Sequence, residues 1–94
     1  MTKQKNTNDL GYLGEEYQLK LVKCFIEHSG FFGNIQHIVD QNMFTNEHLR
    51  RIVGFMKDRY ASLEVVATYF DLETLIRINV SNPISVEMGI SILN

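Results

Sequence analysis

Three histidines, one cysteine and an adjacent glutamate pair are the groups in this 94-residue sequence that could do chemistry. A metal ion would need ligands brought to one face of a turn or helix, as Cys-x2-Cys or His-x3-His spacing does. His28, His37, His48 and Cys24 contain no such pair. Glu15 and Glu16 could be imagined as an acid and base, yet adjacent carboxylates at a helix start are ordinarily surface groups favoured by the helix dipole. Ser62, Ser81, Ser85 and Ser91 lie in capping or helical contexts with no histidine nearby in sequence, so none reads as a nucleophile. Glycines at 11, 14, 30, 33, 54 and 89 form neither G-x-x-x-x-G-K-[ST] nor a strand followed by G-x-G-x-x-G, so no phosphate-binding loop is present. These residues assign no catalytic, cofactor-binding or metal site, and the segment is not expected to be an enzyme.

The bulk composition agrees with a folded interaction domain. A chain of this length buries roughly 60–65% of its unfolded surface, enough for one modest core. With 45% hydrophobic and 21% charged residues, one proline and six glycines, it has the make-up of a soluble globular domain. The net charge of −2 provides no general field for a phosphate backbone, which argues against tight non-specific nucleic-acid binding. Cys24 sits among Val22, Phe25 and Ile26 and reads as a buried thiol; as the single cysteine it allows no internal disulfide. A reducing, cytoplasmic setting is expected. No apolar run reaches the roughly 18 residues of a membrane span, and "MTKQKNTND" lacks the apolar core of a signal peptide.

Periodicity predicts an all-α fold, a compact orthogonal or bundle-like arrangement of about five to six short helices. Residues 1–9 hold nothing to bury and are expected to be a disordered arm ahead of a single helical domain over 10–94. The first helix places Tyr17, Leu21, Cys24, Phe25 and His28 on one face with Val22 and Ile26 beside it, and should stop at Ser29-Gly30. A second helix near 32–40 carries Phe32, Ile35 and Val39. Thr45 is the predicted cap of a third helix, with Phe44 and Leu49 as a hydrophobic staple. Leu49, Ile52, Val53, Met56 and Tyr60 form its apolar stripe, Arg50, Arg51, Lys57 and Asp58 face solvent, and Gly54 marks a close approach by another helix.

Ser62 is the predicted cap of a fourth helix carrying Leu63, Val66, Ala67 and Phe70. Residues 72–80 have both helical and strand spacing, with helix favoured to about 78. Asn82 and Pro83 open a last helix, "ISVEMGISILN", which has no C-terminal cap and so suggests a chain cut from something longer. That helix carries two apolar strips, Ile84, Met88 and Ile92 in one and Val86, Ile90 and Leu93 in the other. One strip is expected on the core and the other in an association surface. The segment "SLEVVATYFDLETLIRI" also bears a helix-turn-helix reading, with Ala67 in the packed first helix and Leu72 after the turn.

From Leu13 to about Phe70 the sequence resembles the N-terminal domain of DnaB-type replicative DNA helicases, including divergent phage-encoded members. The likeness rests on "GEEYQLKLVKCFI", where Glu16 and Gln18 match polar positions, on "IVDQNMF", and on Phe44 followed by Arg50, Arg51, Ile52, Val53 and Met56. "SLEVVATYF" is similar to the helix that follows in the family. The resemblance implies a non-catalytic helical collar that self-associates in ring assembly and receives primase or the helicase loader. It also implies contact with DNA only through the full-length protein, whose RecA-like motor would follow a linker. No cofactor is implied for the collar, and no membrane. Ile84, Met88, Ile92, Arg50 and Arg51 are the candidate interface residues. A small helix-turn-helix regulator or a generic helical adaptor is the alternative.

Overall fold

The computed structural model describes residue 10 and residues 13–94, and the predicted arm over 1–9 lies outside them. Among the described residues the fold is all-α: α1 (Glu15–Glu27), α2 (Ser29–Ile35), a 3-10 turn (Gln41–Met43), α3 (Glu47–Leu63), α4 (Tyr69–Asn79) and α5 (Pro83–Leu93). The central element is α3, which meets α1, the 3-10 turn, α4 and α5. Leu49, Ile52, Val53 and Met56 are buried as their spacing predicts, and Tyr60 is half-buried at the end of the stripe.

The inward face of α1 is rotated by about one residue from the predicted one. Gln18, Val22, Phe25 and Ile26 are its buried residues, Leu21 and Cys24 are half-buried flanks, and Tyr17 and His28 are exposed. The cause is Gln18, a polar residue at the centre of the buried face. Its Oε1 accepts from the Thr45 N–H at 3.0 Å, while its Nε2 donates to the Leu10 carbonyl at 3.0 Å and to Thr45 Oγ1 at 3.2 Å. A fully satisfied amide can occupy a core position that hydropathy assigns to a neighbour.

Local chemistry moves several helix ends. His28, at φ −123° and ψ 80°, interrupts α1, and the chain resumes helix at Ser29 instead of stopping there. The second helix accordingly ends at Ile35, well before the predicted 40, and Lys57 caps its end by donating from Nζ to the carbonyls of Gln36 and Val39. The cap of α3 is Asn46, whose side chain accepts from the N–H groups of His48 and Leu49, and Thr45 is held by Gln18. Phe44 is buried even so, with its ring centroid 6.5 Å from Phe25 in edge-to-face geometry. Gly54 does mark a close approach, though by the 3-10 turn and not by a helix: a Cβ there would stand 2.7 Å from Gln41 Oε1.

Ser62 lies in the last turn of α3 and caps nothing; that helix ends at Glu64 in the left-handed conformation, φ 56°. Residues 65–68 are not helical, so Ala67 is buried from a non-helical connection while Leu63 and Phe70 are exposed. The true fourth cap is Thr68, which accepts from the Asp71 N–H while the Asp71 carboxylate accepts from the Thr68 N–H, a reciprocal capping box. Residues 72–79 are helical, resolving the ambiguity in favour of helix.

Replacing Gln18 by leucine keeps the volume and strands the Thr45 N–H, while the Leu10 carbonyl keeps the Leu13 N–H at 2.9 Å. The expected cost is about 1–3 kcal/mol, read as a lower urea midpoint with unchanged slope. At Asp71 the Thr68 N–H holds the carboxyl below its ordinary value of 3.8, outweighing partial burial, with help from the Thr68 hydroxyl and the Arg59 charge. Its stabilisation is therefore present above pH 3.8 and lost as the pH falls through the lowered value. Asp71→Asn should lower stability at neutral pH by roughly 0.5–1 kcal/mol. That gap should close in acid, as denaturation across a pH series would show.

Candidate interaction surface

Asn82 and Pro83 set the start of α5. The Asn82 side chain accepts from the N–H groups of Ile84 at 2.9 Å and Ser85 at 3.1 Å, and proline occupies the first helical position, where no N–H is needed. Gly89 then lets the helix lie close on α4, because a Cβ would stand 3.3 Å from Ile76 Cδ1, itself a buried atom group of the core. This contact decides which strip points inward. Gly89 and Leu93 are buried, and Val86 and Ile90 are half-buried against the core.

The opposite ridge is left uncovered. Ile84 is 69% exposed and Met88 51%, and Ile78 at the end of α4 is 72% exposed. Beside them Arg77, Pro83, Ile84, Val86, Glu87 and Ile90 line an open, mainly apolar groove of about 540 Å³. Arg77 is held within α4 by Glu73, its Nη2 lying 3.0 Å from Glu73 Oε2, while Glu87 takes part in neither ion pair among the described residues.

The five candidate interface residues do not form one surface. Ile84 and Met88 share the exposed ridge, but Ile92 is half-buried and lines a different groove, with Glu15, Glu16, Leu19, Asn46 and Leu49. Arg50 is a structural residue: its Nη1 donates to the carbonyls of Phe44 at 3.0 Å and Thr45 at 2.9 Å, tying down the loop before α3. Arg51 is half-buried and belongs to neither ion pair. Arg77, Ile78 and Glu87 were missed as surface residues. The i,i+4 spacing of Glu73 and Arg77 signals an exposed helix flank, but nothing local shows that Glu87 shares a groove with it.

The groups with chemical potential stay dispersed. His28 and His37 are exposed on separate segments, His48 is buried in the first turn of α3, and Cys24 is half-buried where a fully buried thiol was expected. No set of three or more His, Cys, Asp or Glu among the described residues is placed to hold a metal ion, and no described helix is long and apolar enough to cross a membrane. Tyr69 donates to Glu27 Oε2 at 2.6 Å; partial burial first, then that hydrogen bond and the glutamate charge, push its hydroxyl up to about 12. It links α4 to α1 as a neutral donor at ordinary pH. Comparison with family models, curated proteins and solved structures finds no match.

An apolar ridge on a rigid, capped helix with one cation and one anion at its edge suits a protein partner. Ile84→Glu combined with Met88→Glu should leave stability within about 0.5 kcal/mol of wild type, as solvent-facing positions do, read by thermal denaturation. Fluorescence of a dye that reports exposed apolar surface should fall in the double variant. Loss of helical circular dichroism would instead place the ridge in the core.

Proposed function

We propose that the chain is a non-catalytic protein-interaction and oligomerisation domain of the kind that forms the N-terminal collar of DnaB-type replicative DNA helicases. The observation that carries this reading is the division of α5 into a strip seated on the core and a ridge, Ile84 and Met88, left to solvent. A helix of this apolarity at the end of a small domain suits docking of a further protein element. The sequence resemblance over Leu13 to Phe70 supplies the family. In this role the capped α3 needs no chemistry: it is the rigid post on which α1, α4 and α5 are mounted.

Primase or a helicase loader is the partner class that the resemblance suggests, and ATP hydrolysis and strand separation would belong to a motor elsewhere in the full-length protein. The helix-turn-helix alternative has less support, since Ala67 lies in a non-helical connection and not in a packed first helix.

The test is the reading frame that encodes the chain. A Walker A motif is expected about a hundred residues beyond Asn94. A stop codon directly after Asn94 would overturn the collar reading. The isolated chain is expected to show no ATPase and only weak, salt-sensitive duplex binding. Sub-micromolar affinity for duplex DNA at physiological salt would favour the regulator.

A further inference from the structure

A second groove, mainly apolar and of about 410 Å³, lies between the C-terminal half of α3 and α4, where Phe55, Leu63 and Leu75 line it together with Asp58 and Arg59. Leu75 and Arg77 are two residues apart on α4 and do not share a face, so this groove is separate from the one beside α5. Leu63 stands largely exposed at its lip. Arg59 is poorly satisfied there. Its Nη2 lies 3.6 Å from Asp71 Oδ1, longer than a hydrogen bond, and its Nε is buried with no hydrogen-bond partner. Asp71 is itself engaged by the Thr68 N–H, which donates to Oδ2 at 3.0 Å. A guanidinium N–H deprived of both water and an acceptor carries a desolvation cost, and a carboxylate taking two parallel N–H groups of the fork removes it.

We propose that this groove receives the C-terminal end of a partner polypeptide, with the terminal α-carboxylate on the Arg59 guanidinium and an apolar last side chain against Phe55, Leu63 and Leu75. The size of the groove and its charges select that occupant. From Phe55 to Leu63 the lining spans about 12 Å of helix at roughly 1.5 Å per residue. That length covers about three or four residues of extended chain, whereas a docked helix, about 10 Å across, needs a trough several turns long. Asp58 belongs to neither ion pair among the described residues. It therefore repels a segment with acids along its length and tolerates a single carboxylate seated on Arg59. To pair in the fork, Arg59 gives up only its long contact with Asp71 and brings Nε to an acceptor. Capture of a chain end by its carboxylate, with a pocket for the last side chain, is a recurring mode of peptide recognition. Neither the α5 ridge nor the helicase resemblance enters into this contact.

The test is a titration of the tetrapeptide acetyl-Gly-Ala-Ala-Leu, with a free terminal carboxylate, into the intact isotope-labelled chain. Nuclear magnetic resonance follows the side-chain Nε–H signal of Arg59 and the backbone N–H signals of Leu63 and Leu75. Saturable binding in the millimolar range is expected, with the three signals moving together. The same peptide as its C-terminal amide should bind at least about tenfold more weakly, because a charge-assisted pair of hydrogen bonds is lost. Arg59→Gln should weaken binding of the carboxylate form to the level of the amide. Leu63→Glu, at an exposed position, should leave the remaining spectrum unchanged and weaken binding at least about tenfold by placing a like charge at the lip.

Equal binding of the carboxylate and amide forms, shifts that grow without saturation, or wild-type affinity in Leu63→Glu would each overturn the proposal. If acetyl-Gly-Glu-Ala-Leu-amide, whose carboxylate is on a side chain, binds as tightly as the free-ended peptide, the chain-end assignment falls in favour of an internal acidic residue. Should Arg59→Gln unfold, Arg59→Lys takes its place, keeping the charge and losing the fork; wild-type affinity in that variant would sink the paired contact. The reading-frame result is independent of all these outcomes.

Discussion

A single buried amide holds the geometry of this domain. Gln18 has no exposed surface, and its carbonyl and amino groups both find partners on segments that are not helical, Leu10 on one side and Thr45 on the other. An unsatisfied amide at that depth would cost several times what one of its hydrogen bonds contributes, so α1 must be placed where both partners are in reach. The loop before α3 is thereby tied to α1, and Asn46 and Arg50 satisfy the remaining polar groups around the turn. The start and direction of α3 follow.

With α3 positioned, the rest of the core is a matter of apolar fit. Phe25 is the hub of an aromatic cluster, with centroids 5.2 Å from Phe32 and 6.5 Å from Phe44. Ile52, Val53 and Met56 fill the space toward α4 and α5, where Leu72 and Ile76 close the interior. Polar ties at the perimeter are mostly charge-assisted or reciprocal: Lys57 on the end of α2, Tyr69 on Glu27, Thr68 with Asp71. These local devices let a small domain hold defined helix ends without a large core.

The same economy explains the exposed ridge. A domain of this size has one core, and α5 can present only one side to it; Gly89 brings that side within contact distance of Ile76 and turns Ile84 and Met88 outward. Apolar residues retained there, on a helix with Glu87 as its only charge, form the exposed surface to which the proposed partner would dock.

Much of this was decided within single helices and could be read from the chain alone. The stripe Leu49, Ile52, Val53 and Met56 is buried as its spacing requires, and the Asn82-Pro83 start of α5 stands where the sequence puts it, because both depend only on helical period and on N–H groups a few residues away. The all-α class follows from the same local rules. Other features needed tertiary contacts. Gln18 outranked Tyr17 as a core residue only because Leu10 and Thr45 arrive to satisfy it; Ser62 lost its predicted role because Glu64, without glycine's freedom, took the left-handed turn that ends α3; and Arg50 was drawn from solvent to two loop carbonyls. On α5 the sequence by itself determined that two apolar strips exist. Which one is buried was settled by the fit of Gly89 against Ile76, a contact between residues on different helices that no local pattern encodes.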